Sequence, residues 1–214
     1  VLQLLKPRVQ VGTTTKMLAD EAARELKKLG GKPAFLGYGG FPDVICISLN
    51  EEVVHGIPGA DIISDGDLVS LDFGVNYNGM ITDAAITVVA GESNGVKRKL
   101  LKGTEEALMA GISVVKDGVR TGDIGAAVEK VMAQYGFGIV RDLVGHGVGH
   151  EVHEEPDVPN YGVVGSGKKL SKGMTIAIEP MSTLGSERVV MESDGWTIKT
   201  YDKSLSAHFE HTIL

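Results

Sequence analysis

Ser64-Asp65-Gly66-Asp67-Leu68-Val69-Ser70-Leu71-Asp72 reads as a Ser-x-Gly turn, then an apolar strand, then a carboxylate at the strand's end. The pattern returns as Ser171-Lys172-Gly173-Met174-Thr175-Ile176-Ala177-Ile178-Glu179. In both places a partner segment follows that opens a strand with an acid: Thr82-Asp83-Ala84-Ala85-Ile86-Thr87 and Phe209-Glu210-His211-Thr212-Ile213-Leu214. The chain therefore reads as two related hairpin-like units. Each presents an acid pair, and the imidazole of His146 lies between them in sequence.

Most acids on a protein are surface residues. An acid inside an apolar run such as Val69-Ser70-Leu71-Asp72-Phe73 or Ile176-Ala177-Ile178-Glu179 is costly unless it is paired or metal-bound. With Tyr77-Asn78 at the centre of the first turn, Asp72 is expected directly opposite Asp83. Opposed Cβ atoms lie about 4.5–5.5 Å apart, where carboxylates raise one another's pKa unless a cation sits between them. Four carboxylates balance two divalent ions in formal charge. Oxygen donors with one imidazole and no thiolate suit Mn(II), Fe(II), Co(II) or Zn(II) and argue against a structural zinc knot. The expected ligands are Asp72, Asp83, His146, Glu179 and Glu210.

Composition narrows the class. The chain has 214 residues, 43% of them hydrophobic and 23% charged, as in an ordinary globular protein. No apolar run approaches the roughly 20 residues of a membrane span. A net charge of −7 argues against general nucleic-acid binding; the clusters Lys97-Arg98-Lys99 and Lys168-Lys169 read as solvated faces. The single cysteine, Cys46, excludes an intrachain disulfide and fits a reducing, cytoplasmic setting. The chain begins without Met, and both ends read as truncated.

Helices are expected over about 13–29, 94–115 and 122–135, the last with Thr121 as cap and Gly136 as stop. Strands are expected at Ile45–Leu49, across 67–90, near Ile139–Leu143 and through most of 170–214. No linker separates flexible domains, so one catalytic domain over 1–214 is expected, with pseudo-symmetric halves of about 1–92 and 93–214. Gly145-His146-Gly147-Val148-Gly149 is not a dinucleotide fingerprint, and His150-Glu151-Val152-His153 is one residue short of the zinc-protease helix motif. Cys46, alternating with isoleucines in a strand, suits packing better than nucleophilic attack.

Three stretches carry a resemblance: Asn50-Glu51-Glu52-Val53-Val54-His55-Gly56-Ile57-Pro58, Gly145–Gly149 with His153-Glu154-Glu155-Pro156, and Ile178-Glu179-Pro180. With the spacing of the five ligands, they resemble the type I methionine aminopeptidases over nearly the whole chain. The resemblance implies an α+β pita-bread fold, with pseudo-twofold halves, a central antiparallel sheet and outer helices. It implies two non-ligand histidines that position the substrate and stabilise the intermediate, His55 and His153, beside Glu179 as proton relay. It also implies a methionine pocket of Phe35, Tyr38, Phe41, Cys46, Val152 and Trp196. Phe35 and Val152 differ from the residues common there, the first narrowing the pocket and the second widening it. His150, His208 and His211 read as surface residues, or for the two flanking Glu210 as supports behind the ligands.

The implied activity is a metal-dependent removal of the N-terminal methionine from nascent chains by a monomer, with transient ribosome contact. Two other readings compete. An X-Pro peptidase shares the fold but generally carries a large extra N-terminal domain, for which this length leaves no room. A non-catalytic peptide- or ribosome-binding relative would show degenerate ligands, and all five are intact.

Overall fold

The computed structural model describes residues 1–214. After a one-turn helix at Leu2–Leu5, helix α1 spans Thr15–Lys28. Thr14 starts it, its hydroxyl accepting the Met17 N–H at 3.2 Å, and Gly30 stops it with φ 77°. Helix α2 covers Gly95–Ser113, capped by Asn94, whose side chain accepts the Lys97 N–H at 2.9 Å. Helix α3 covers Thr121–Tyr135 and ends on left-handed Gly136. Its cap is Arg120, not Thr121: the Asp123 carboxylate accepts the Arg120 N–H at 2.9 Å. Thr121 is the first helical residue, and its hydroxyl accepts the Lys168 N–H instead.

Seven strands form the main sheet: β1 (Cys46–Leu49), β2 (Leu68–Asp72), β3 (Ala84–Val89), β4 (Gly145–Gly147), β5 (Glu154–Val158), β6 (Ile176–Ile178) and β7 (Glu210–Ile213). Their order is β5-β4-β6-β7-β3-β2-β1, antiparallel throughout. Strands from the two halves of the chain meet at β7 and β3, where Glu210 pairs with Ala85 and His211 with Ala84. The strand expected over 139–143 shrinks to Gly138–Ile139, which pairs with the short strand Met181–Thr183 beside the main sheet.

Alternation gives this sheet two unlike faces. On one, Ile47, Val69, Leu71 and Val88 pack under Leu18, Ala22 and Leu26 of α1. Ile176 and Ile178 pack under Leu100 and Leu108 of α2 and Ile124 and Val128 of α3. Burying each such Leu or Ile contributes about 1.5–3 kcal/mol. The other face carries Ser48, Ser70, Thr87, Cys46 and Asp72, all buried. The helices thus shield one side and leave the polar side to the site.

The first hairpin corrects one expectation. Its turn is centred on Asn78-Gly79, both at positive φ (53° and 86°), with Tyr77 paired to Met80. Asn-Gly with both residues left-handed is the two-residue turn whose twist matches the strands. Moving the centre by one residue moves the pairing by two, so Asp72 stands opposite Ala85 and not Asp83.

Candidate active site

Four residues form one row across the sheet: Cys46 pairs with Asp72, Asp72 with Ala85, and Ala85 with Glu210. Directly paired residues share a face, and Asp83, two residues before Ala85, shares it too. The small Ala85 side chain leaves a gap between Asp72 and Glu210, two strand spacings of about 4.8 Å apart. Glu179 follows β6 immediately, and continuing the Ile178–His211 register sets it opposite Glu210. By register, then, Ala85 is the counterpart of Glu210, and Asp83 is the counterpart of His208. The backbone shows the same relation. The Thr212 hydroxyl accepts the Asp83 N–H and donates to the Asp83 carbonyl, at 2.7 and 2.8 Å. The Thr87 hydroxyl does the same for His208, at 2.9 and 2.7 Å. The repeat of acids is therefore not a strict repeat of positions.

His146 sits in β4 between glycines that the packing requires. A Cβ at Gly145 would lie 2.4 Å from the Ala177 carbonyl oxygen, and one at Gly147 2.3 Å from that of Glu155. Its Nδ1 lies 2.9 Å from the Gly147 carbonyl and donates to it, which leaves the Nε2 lone pair free, 3.3 Å from Glu179 Oε1. Asp83, His146 and Glu210 place one ligand atom each within 4.8 Å of one another.

Burial pushes the Asp83 carboxyl up to about 7. Burial, and then the charge of Asp83, pushes Asp72, Glu179 and Glu210 well above the usual carboxylate range. Burial lowers the imidazoles, His146 and His55 to about 4 and His208 to about 3, so all three are neutral at pH 7. Asp72 Oδ1, Glu179 Oε1 and Glu210 Oε1 are buried with no hydrogen-bond partner. Neutral imidazole nitrogen and orphaned carboxylate oxygens that repel one another are the donor set a divalent cation satisfies.

Around this cluster stands the apolar wall. Phe41 and Trp196 meet edge to face at 5.2 Å, and Phe35, Phe41, Cys46 and Val152 are buried with Ile81 and Val148. Phe35 lies against Gly74, where a Cβ would come within 2.5 Å of its ring. Burial pushes the Cys46 thiol up, with Asp72 adding to it, so Cys46 is a wall residue and no thiolate. His55 is held at φ 60°, a conformation that a non-glycine residue adopts only where its surroundings enforce it. All thirteen residues expected from sequence at the ligand, catalytic and pocket positions line one cavity of about 80 Å³. A roomier cleft of about 400 Å³ beside Leu170–Met174 gathers no comparable cluster.

His208, expected as a surface residue or as a support behind the ligands, is not on the surface. It is buried, with its Nε2 3.8 Å from Glu179 Oε2 and 4.0 Å from Glu210 Oε2. Neither ring nitrogen has a hydrogen-bond partner. The available signal was the register, which only the structure supplies. His150 is exposed, whereas its backbone N–H and that of Glu151 are held by Glu154.

Over residues 1–214 the sequence matches metallopeptidase family M24. The chain belongs to that family. Among its M24 relatives, the methionine aminopeptidase of Aquifex aeolicus is 47% identical, over 100% of this chain and 86% of the relative. Methionine aminopeptidase 1 of Bacillus subtilis is 44% identical, over 98% of this chain and 84% of the relative. The crystal structure of methionine aminopeptidase from Thermotoga maritima superposes with a TM-score of 0.97 at 45% identity, over 100% of this chain and 86% of that one. Prolidase from Pyrococcus furiosus superposes with a TM-score of 0.76 at 25% identity, over 96% of this chain but 53% of that one. The fold is the pita-bread fold of these M24 enzymes.

Proposed function

We propose that this chain is a metal-dependent aminopeptidase that removes the N-terminal methionine from peptides and nascent proteins, with Asp72, Asp83, His146, Glu179 and Glu210 holding two divalent ions. The observation that carries the reading is the convergence of these five donors with an apolar aromatic pocket in one cavity. Divalent ions bound by these residues would lower the pKa of water towards neutrality and would polarise the scissile carbonyl. Phe35, Phe41, Cys46, Val152 and Trp196 exclude water and receive an unbranched thioether, which fills irregular apolar space and contacts aromatic edges. His153, neutral because burial lowers its pKa, donates to the oxygen that gains charge during attack. His55 orients the peptide bond. Glu179, beside His146, takes a proton from the attacking water and delivers it to the leaving amine. Mn(II), Fe(II), Co(II) and Zn(II) all fit this donor set.

No helix is long and apolar enough to cross a membrane. We place the protein in the cytoplasm as a monomeric single catalytic domain acting on emerging chains. An X-Pro reading is disfavoured because prolidase matches at 25% identity, against 47% and 44% for the methionine aminopeptidases.

The test is release of the first residue from Met-Ala-Ser and Leu-Ala-Ser, with Mn(II), Co(II) or Fe(II) added. Shape alone discriminates by about 1–3 kcal/mol, roughly 10- to 200-fold, so methionine is released faster by that margin. Equal rates on the two peptides reject the pocket assignment.

A further inference from the structure

We propose that Tyr38 is a positioning residue for His153: its hydroxyl selects the tautomer in which His153 presents an N–H to the substrate carbonyl. The inference rests on the reading of His153 as the donor to that carbonyl, and adds the group that makes it one. Tyr38 and His153 are 115 residues apart in sequence, yet the Tyr38 hydroxyl lies 2.8 Å from His153 Nδ1. Their rings are tilted at 43° with centroids 5.3 Å apart. On its other side the His153 ring packs against His146 at 4.2 Å.

These neighbouring imidazoles have unlike partners. The partner of His146 Nδ1 is a carbonyl, which only accepts, so the proton sits on Nδ1 and Nε2 is the lone pair. The partner of His153 Nδ1 is a phenol, which can donate. A phenol is the better acid of the two and a neutral imidazole nitrogen the better base, so the stronger hydrogen bond runs from Tyr38 to Nδ1. The proton of His153 is then on Nε2, the nitrogen free to meet substrate. Adjacent histidines thereby acquire opposite tautomers, one a lone-pair donor and the other a hydrogen-bond donor.

The loop that carries Tyr38 is built to hold it. Gly37, Gly39 and Gly40 all have positive φ, at 85°, 55° and 93°. A Cβ at Gly39 would stand 3.1 Å from the Trp196 ring. The backbone is thus pressed onto Trp196, and the hydroxyl spans the pocket mouth to the opposite half of the chain.

Tyr38→Phe keeps the aromatic wall and deletes only the hydroxyl. The experiment compares wild type and Tyr38→Phe by 15N NMR of histidine-labelled protein, metal-free and Zn(II)-loaded, with the His153 signals identified by their loss in His153→Ala. Steady-state hydrolysis of Met-Ala-Ser, bound metal and the melting curve are measured on the same preparations. The expected result is a protonated Nε2 at His153 in wild type and a mixture of tautomers in Tyr38→Phe. kcat should fall on the order of tenfold, as when one hydrogen bond stops holding a reacting group, with KM, metal content and melting unchanged. An unchanged tautomer with unchanged kcat overturns the proposal, as does a rise in KM with kcat kept, which makes Tyr38 a wall residue only. If His153→Ala loses turnover while Tyr38→Phe keeps it, this inference alone fails. If His153→Ala keeps turnover, the reading of His153 itself fails.

Discussion

The two central imidazoles differ in what they can do. His146 offers a lone pair towards Glu179 and Asp83, whereas His153 is set back against it. His146→Ala should therefore lose metal on dialysis. His153→Ala should retain metal and fold while turnover drops, by about a hundred- to a thousandfold for one lost oxyanion donor. Metal per chain after dialysis, beside turnover at saturating metal, separates the two. Loss of metal from both variants makes His153 a ligand and ends this division of labour. The acids make a second prediction. Burial raises the Asp83 carboxyl from its ordinary 3.8 to about 7. A raised acid stabilises the fold below its unfolded pKa, and that contribution is lost as pH rises through the folded value. The depressed histidines act in the opposite sense, so the comparison is made against a variant that changes the acid alone. In metal-free protein, melting temperature should fall between about pH 4 and pH 7 more steeply for wild type than for Asp83→Asn. Parallel pH profiles for the two proteins would show that Asp83 is not a strained buried acid.

Strand register turns these residues into a site. Ala85 is the spacer between Asp72 and Glu210. Ala85→Val puts two more carbon atoms into that gap, and overpacking of this kind typically costs about 1–3 kcal/mol. Metal affinity should weaken by tenfold or more while helical content is kept, as read by calorimetric titration with Mn(II) and by circular dichroism. Unchanged affinity would place the ions elsewhere. Much of this element-level arrangement was legible. The Ser-x-Gly-strand-acid repeat announced two related hairpins, and the helices expected over about 13–29, 94–115 and 122–135 lie close to Thr15–Lys28, Gly95–Ser113 and Thr121–Tyr135, the last stopped by Gly136 as expected. The pairing of Asp72 was not, because it depends on a turn centre one residue away. Asn78-Gly79 is a strong turn signal, yet Tyr77-Asn78 gives a symmetrical face-to-face pair and so looked simpler. The role of Ala85 and the equivalence of Asp83 with His208 were hidden for the same reason. A period-2 pattern fixes which face a residue takes and leaves its partner open. The pocket wall was legible chiefly through resemblance, since Phe35, Phe41 and Trp196 lie on loops without periodicity; the glycines interleaved with Phe35, Tyr38 and Phe41 pointed only to a loop.

At the scale of the molecule, the polar face of the sheet is a store of unfavourable charge. Four carboxylates packed together, three of them (Asp72, Glu179 and Glu210) with a buried oxygen that has no hydrogen-bond partner, destabilise the chain unless cations neutralise them. An ion bound to the folded state at a hundredfold above Kd stabilises by about 2.7 kcal/mol per site, so two ions raise melting by roughly 10–20 °C for a chain of this size. On the reading proposed above, these five donors hold two divalent ions and turnover depends on them. The measurement is a titration of chelator-stripped protein with Mn(II) or Co(II), following metal bound per chain, melting temperature and methionine release from Met-Ala-Ser together. The prediction is uptake of two ions per chain, a rise in melting temperature of the size given above, and release that appears only as metal is bound. A stripped chain that takes up no metal, or that releases methionine at the full rate in excess chelator, contradicts it.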